Sequence, residues 1–333
     1  MNIYFCQSST DLLKILYLTK INKNNNCLIC VNVNGCYDLA LNLNNKFNIF
    51  DKCLLIKSKL DNPYNLFNWL SEYFNIIKIK NQLNKSSSSK IYFFSEYFDL
   101  LTFSVIKKIK NPIDIYVENN PETNKFIEIQ NSFKSKLMSF LYGIKVSNYD
   151  YKGLKVFGIN KSFYKKVLKK IPLITFSKVF KKTSTYLFPL PCNSIILLDS
   201  NDDIYEKMID NFSNKFLKLY KILSKYDVYL KSHPRMGPSV LSQKFNFKSL
   251  DSNIPLEFYK FKNNIVIGID SISLANISSL NSKVVSLSKL LDNNHSFYNR
   301  TKEYLDYFAE GEVLYPNSIQ DLINILNEKN TIQ

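Results

Sequence analysis

Glycine is scarce in this chain, with seven in 333 residues, and there are only two histidines and one tryptophan. That scarcity excludes several chemistries. A G-x-G-x-x-G fingerprint or a Walker-type loop needs closely spaced glycines, so that backbone N–H groups can approach a phosphate. Neither pattern occurs, nor does the G-x-S-x-G turn that exposes a hydrolase nucleophile. There is no Asp-x-Asp pair to seat a metal-bound nucleotide-sugar pyrophosphate. Also lacking is a run of about eighteen uncharged apolar residues, which a membrane-spanning helix requires. The opening, "MNIYFCQSSTDLLKILYLTK", has neither the basic start nor the small-residue cleavage site of a signal peptide. A cytoplasmic protein is the expectation.

What is present bounds the class. Hydrophobic residues make up 45% and aromatics 14%, which suits a packed chain of two domains or one large one. Cysteines fall at 6, 27, 30, 36, 53 and 192. Cys27 and Cys30 form a C-x-x-C, but it sits inside "CLICVNV", which reads as a buried strand. With no second pair and no nearby histidine, a structural role is expected rather than zinc. The balance of 44 basic against 28 acidic residues gives +16. The lysines are spread along the chain, as a general compositional bias would spread them. The clusters "VIKKIK" (105–110) and "FYKKVLKK" (163–170) are candidates for peripheral contact with the inner face of an anionic membrane. No nucleic-acid partner is expected, because zinc-finger spacing and RNP-type aromatic signatures are absent.

Strand-like and helix-like segments alternate. "NIYFC", "CLICVNV", "KCLLIKS", "KIYFFSE" and "IDIYVEN" read as strands. Helices are expected after "NIYFC", with Ser9 or Thr10 as cap, and over "NPYNLFNWLSEYF" and "YFDLLTFSVIKKIK". "KSSSSK" (85–90) reads as a solvated loop, and "KFIEIQNSFKSKLMSFLYG" as a helix with an apolar face. "FPLPCNS" (188–194) marks the best boundary. A second series follows: "IILLDSNDD", a helix over roughly 203–224, "DVYLKS", a helix from about Pro255, "NNIVIGID", a helix from about Ser273, "KVVSLS", and a last helix capped by Ser318. Two successive α/β domains with parallel sheets, 1–188 and 189–333, form the expected architecture, with a cleft between them.

Two candidate sites lie at the carboxyl ends of expected strands in the second domain, where open α/β sheets bind ligands. One is "LKSHPR": Pro234 stops the strand and pins His233 at its end, with Arg235 beside it. The other is "IVIGIDSISLANISS", where a strand runs into Asp270, Ser271 and Ser273 and then a helix. Hydroxyls beside a helix N-terminus suit a phosphate. An imidazolium with them can stabilise a departing phosphate without a metal. In the first domain Glu118 follows a strand at the equivalent position and is a candidate base, with Glu122 as its competitor.

With these motifs in view, the chain resembles the bacterial sialyltransferases of glycosyltransferase family 52, the lipooligosaccharide sialyltransferases, and the related bacterial polysialyltransferases. "NIYFCQSSTDLLKILYL" is similar to that family's opening strand, cysteine and helix. "LKSHPR" is similar to its His-Pro motif, and "IPLEFYKFKNNIVIGIDSISLANISS" to its Pro-x-Glu helix and serine motif. The resemblance implies a GT-B fold of two Rossmann-like domains. It implies inverting, metal-independent transfer from CMP-sialic acid, with no cofactor, to a galactose-terminated glycan or glycolipid such as lipooligosaccharide. His233 would act on the leaving phosphate, Ser271 and Ser273 would hold it, and the segment at Pro255 and Glu257 would approach the cytidine. The family's base is a carboxylate in an acidic-acidic-glycine motif. Here Asn119 and Asn120 replace its second acid and glycine, so Glu118 and Glu122 stay open as the base. A related GT-B transferase of envelope or capsule polysaccharide synthesis, using another nucleotide-activated donor, is the alternative. Oligomeric state stays open, a homodimer included.

Overall fold

The computed structural model describes residues 1–6, 9–22, 25–31, 36–56, 74, 77–78, 81, 90–94, 113–118, 154–157, 173–199, 202–233, 237–292 and 296–328. At 9, 10, 31, 56, 93, 94, 113–118, 154–157, 173 and 202 the backbone alone is described. The chain divides into two compact units, Met1–Thr183 and Ser184–Gln333.

In the first unit the strands are β1 (Asn2–Cys6), β2 (Asn26–Val31), β3 (Lys52–Ile56), β4 (Lys90–Phe94), β5 (Ile113–Glu118), β6 (Leu154–Phe157) and β7 (Leu173–Ile174). They form a seven-stranded sheet in the order β3-β2-β1-β4-β5-β6-β7. Each neighbouring pair is parallel. Every residue of β1 is buried, as suits a central strand covered on both faces. The helices are α1 (Ser9–Ile21), α2 (Cys36–Phe47) and α3 (Phe176–Thr183), and α1 packs on α3. The expected helices over 97–110 and 125–143, the loop at 85–89 and the lysine cluster at 163–170 lie outside the described residues. So does the one over 62–74, apart from Phe74.

The second unit contains β8 (Phe188–Pro189), β9 (Ile195–Leu198), α4 (Asp202–Glu206), α5 (Phe212–Leu223), β10 (Val228–Lys231), β11 (Lys248–Ser249), β12 (Tyr259–Lys260), β13 (Asn264–Gly268), α6 (Ile272–Ile277), β14 (Ser282–Ser286), α7 (Ser288–Leu291), α8 (Ser296–Phe308) and α9 (Ile319–Asn327). Five strands make a parallel sheet in the order β11-β10-β9-β13-β14, and β8 pairs with β12. Side chains of a strand alternate between faces, and the core follows that rule. Ile195, Leu197, Ile265, Ile267 and Val285 pack with Phe212, Phe216, Leu322 and Leu326. Ile196, Leu198, Val266 and Val284 pack on the other face with Leu274, Ile277 and Leu305. Two faces of apolar contact explain the near-continuous apolar runs of β9 and β13.

Aromatic rings line one of these faces. Tyr205 stacks on Phe212 at 5.3 Å, Phe212 on Phe216 at 4.9 Å, and Phe216 meets Tyr220 at 4.5 Å between centroids. Phe212, Phe216 and Tyr220 are spaced i, i+4 along α5, which puts them on one helical face.

Two expected helices are corrected. The segment 203–224 is two helices: α4 ends at Glu206, turns follow, and α5 starts after Asn211, whose φ of 55° is left-handed. The carboxylate of Glu206 accepts from the Ser213 backbone N–H at 2.9 Å and so serves the first turn of α5. From Pro255 there is only a 3-10 turn, Leu256–Phe258, before the chain straightens into β12 beside Phe188 and Pro189. Burial of Phe258 and Tyr259 outweighs continued helix there. The final helix starts as expected: Ser318 Oγ accepts from Asp321 N at 3.1 Å. Gly311 marks a close approach, since a Cβ there would stand 2.1 Å from the Ser278 carbonyl oxygen.

Candidate functional site

The strand order reverses direction at β9. From β9 the chain moves outward through β10 to β11, then returns to the far side of β9 as β13 and continues to β14. In such sheets the ligand crevice opens at the carboxyl ends of the strands where the order reverses. The residues at that edge are Asp199 after β9, Ser232 and His233 after β10, and Asp270 and Ser271 after β13.

Asp199 is engaged from three sides. It accepts from Tyr220 Oη at 3.2 Å, Ser239 N at 2.7 Å and Ser242 Oγ at 3.0 Å. Ser239 and Ser242 belong to the loop that follows His233, so Asp199 anchors that loop to β9. His233 is exposed, and its carbonyl accepts from Gly237 N at 3.0 Å, where Gly237 has φ 68°. Pro234 and Arg235 lie outside the described residues.

Glu257 is 4% exposed. It accepts from Ser273 Oγ at 2.8 Å and Asn276 Nδ2 at 3.0 Å. These bonds tie the turn after Pro255 to the start of α6. Lys231, 6% exposed, donates to the carbonyls of Ser232 at 3.1 Å and Ser252 at 3.0 Å. Burial pushes the Lys231 ammonium pKa down, while Glu257 and Asp251 pull it up. "IPLEFY" and "DSISLAN" are thus joined through Glu257 and Ser273, and Lys231 of "LKSHPR" bonds to Ser252, two residues ahead of "IPLEFY". Pro255 itself is half-buried just ahead of Glu257.

Asp270 accepts a hydrogen bond from the Tyr205 hydroxyl. Burial raises the Asp270 pKa above the ordinary carboxylate value, against the opposing effects of the Tyr205 hydrogen bond and Arg300. Burial likewise pushes the Tyr205 phenol up. Ser271 occupies the N-cap position of α6, but its side chain makes no capping bond. The Ser273 hydroxyl is engaged by Glu257. The ends of β10 and β13 are two strand spacings apart, about 10 Å, with Asp199 between them. Glu118 ends β5 in the first unit, and Glu122 lies outside the described residues.

Comparison with solved structures finds similar chains. A candidate UDP-N-acetylglucosamine 2-epimerase from Listeria monocytogenes superposes with a TM-score of 0.51 at 10% identity, over 100% of this chain and 97% of that one. The fold is of the GT-B type. The GT-B UDP-GlcNAc 2-epimerase from Neisseria meningitidis, solved with UDP-GlcNAc, gives 0.49 at 13% identity, covering 99% of this chain and 100% of that one. The ADP-heptose lipopolysaccharide heptosyltransferase II of E. coli gives 0.45 at 11% identity, covering 99% and 100%. No protein-family model matches the chain, and no curated protein matches it by sequence.

In this GT-B chain, Asp199, Tyr205 and Lys231 were missed by sequence reasoning. One signal was available for Asp199: "IILLD" and "IVIGID" both end an apolar run in aspartate. Among the described residues, the one group of three metal-capable side chains that converge is Cys6, Cys30 and Cys36, in the first unit. No helix among the described residues is long and apolar enough to cross a membrane.

Proposed function

We propose that the chain is an inverting, metal-independent glycosyltransferase that moves sialic acid from CMP-sialic acid to a galactose-terminated glycan. The observation that carries the reading is the bond of Glu257 to Ser273 and Asn276. It joins the Pro-x-Glu and serine motifs, two of the three second-unit motifs on which the family resemblance rests. The GT-B fold supports the same class of reaction.

In the proposed reaction the bond between the anomeric carbon and the CMP phosphate oxygen breaks, and its electron pair leaves with CMP. The acceptor hydroxyl oxygen bonds to the anomeric carbon from the opposite face and loses its proton to a carboxylate. Glu118 is the proposed base. His233, as imidazolium, stabilises charge growing on the phosphate, and Ser271 adds a hydroxyl. Positive charge spreads over the sugar ring in the transition state, as in glycoside cleavage. Asp199 acts through the His233 loop and is a positioning residue.

The test is incubation with CMP-sialic acid and a lactose-type acceptor. The wild-type chain sialylates the acceptor, and His233→Ala lowers the rate by about 10²–10⁴-fold, the usual contribution of a positioned acid or base. Full activity in His233→Ala overturns the role of that residue. Thermal stabilisation by UDP but not by CMP overturns the donor.

A further inference from the structure

We propose that Cys6, Cys30 and Cys36 form a binding site for a soft, thiophilic metal ion, with Cu(I) the best match. The three Sγ atoms all lie within 4.8 Å of one another. Each of the three residues is 0% exposed.

The sheet explains why they meet. In the parallel pairing of β1 with β2, Cys6 stands directly opposite Cys30, so both side chains leave the sheet on one face. Cys27, three residues earlier in the C-x-x-C, pairs with Ile3 and projects from the other face. The sequence motif is therefore not the site. Half of it joins two cysteines from elsewhere. Cys36 opens α2, the helix that follows β2, and closes the triangle.

The donor set selects the ion. Three sulfurs, each about 2.3 Å from a central metal, stand about 4 Å apart, which the observed cluster can reach. No histidine or carboxylate joins it among the described residues. Structural zinc takes four protein ligands, and catalytic zinc keeps a position for water. An all-sulfur trio closed to solvent fits neither. It fits a low-coordinate ion that favours thiolate, as Cu(I) does.

Without metal the cluster is held as neutral, mutually hydrogen-bonded thiols. Burial raises the Cys6 pKa well above its ordinary value, and the hydrogen bond to Cys36 raises that of Cys30. On binding, each S–H bond is exchanged for an S–Cu bond. The electron pair stays on sulfur, the proton goes to solvent, and copper keeps its oxidation state. The site is separate from the proposed transfer chemistry and stands or falls without it.

The experiment titrates the reduced full-length chain with Cu(I), without oxygen, against the Cu(I) chelator bathocuproine disulfonate. Expected are one retained equivalent and an X-ray absorption spectrum showing three sulfurs at about 2.3 Å, with no nitrogen or oxygen neighbour. Cys36→Ser should weaken retention by more than the roughly 10–100-fold that loss of a supporting group costs. Cys192→Ser, at an exposed cysteine, should retain copper as the wild type does. Failure of the wild type to retain copper overturns the proposal, as does a nitrogen or oxygen neighbour in its spectrum. Unchanged retention by Cys36→Ser does the same. Should Cys36→Ser not fold, the wild-type spectrum alone decides.

Discussion

The two parallel sheets end in different elements of the periodic table. At the carboxyl side of the first, Cys6, Cys30 and Cys36 bring sulfur together. At the carboxyl edge of the second, Asp199, Glu257 and Asp270 bring oxygen. The difference in wiring follows from hydration. A thiol is a weak hydrogen-bonding group that can be buried like a small hydrophobe. A carboxylate cannot leave water without partners. Hence Asp199 accepts from Tyr220, Ser239 and Ser242, Glu257 from Ser273 and Asn276, and Asp270 from Tyr205. Oxygen at the second edge also specifies how the surrounding loops are held, whereas sulfur at the first specifies little beyond packing.

The sharpest way to break this contrast is Glu257→Ala. It leaves the half-buried Ser273 hydroxyl and the buried Asn276 amide without their acceptor and removes a charge that raises the pKa of buried Lys231. The loss expected in urea or guanidinium unfolding is about 1–3 kcal/mol for each of the two donors left unmet. Glu257→Gln, which keeps an acceptor, should cost less. Next is Asp199→Ala, which releases Ser239, Ser242 and Tyr220. About 1–3 kcal/mol should be lost by the same measurement, since buried donors are left unmet. Amide hydrogen exchange over 237–242 should speed up. On the sulfur side, Cys36→Ala in the reduced, metal-free protein removes one atom from the core. Its cost should be only about 1 kcal/mol, in the range of other small deletions. A cost equal to that of Glu257→Ala would remove the distinction between the edges.

The smallest effect has the opposite sign. The Asp270 pKa is raised in the folded chain by burial. The folded state therefore holds this proton more tightly than the unfolded one. The stability linked to it is present below the ordinary value of 3.8 and lost as pH rises through the folded pKa. Asp270→Asn keeps an acceptor for Tyr205 and carries no charge to desolvate. It should be more stable than the wild type at neutral pH, with the gap closing as both are acidified. Chemical denaturation at the two ends of that range checks it.

The parts of this molecule legible from its sequence were those governed by local burial. "NIYFC", "CLICV", "IILL" and "NIVIG" declare themselves because a parallel strand covered on both faces must be apolar throughout. The break between α4 and α5 was hidden, because apolar spacing runs on through Ile209 and Phe212 although the chain leaves the helix at Glu206 and turns as far as Asn211. Of the site, the strand ends bearing His233 and Asp270 were visible as positions. Their wiring was not. Nothing local in "PLEFY" says that Glu257 turns inward to Ser273, sixteen residues away. The cysteines illustrate the same limit, since the C-x-x-C attracts the eye while strand register decides which of its members meets Cys6.

The row of rings from Tyr205 through Phe212 and Phe216 to Tyr220 ends in a hydroxyl at each side. One is bonded to Asp270 and the other to Asp199. The row is a spacer bar between the two carboxylates that flank the reversal of strand order. Close-packed rings compress little. The strand ladder sets the spacing of the edge, while the rings set where the two hydroxyls stand beneath it, so shortening one ring, as in Phe216→Leu, would shift the donors offered to Asp199 and Asp270 without altering any residue at the edge itself.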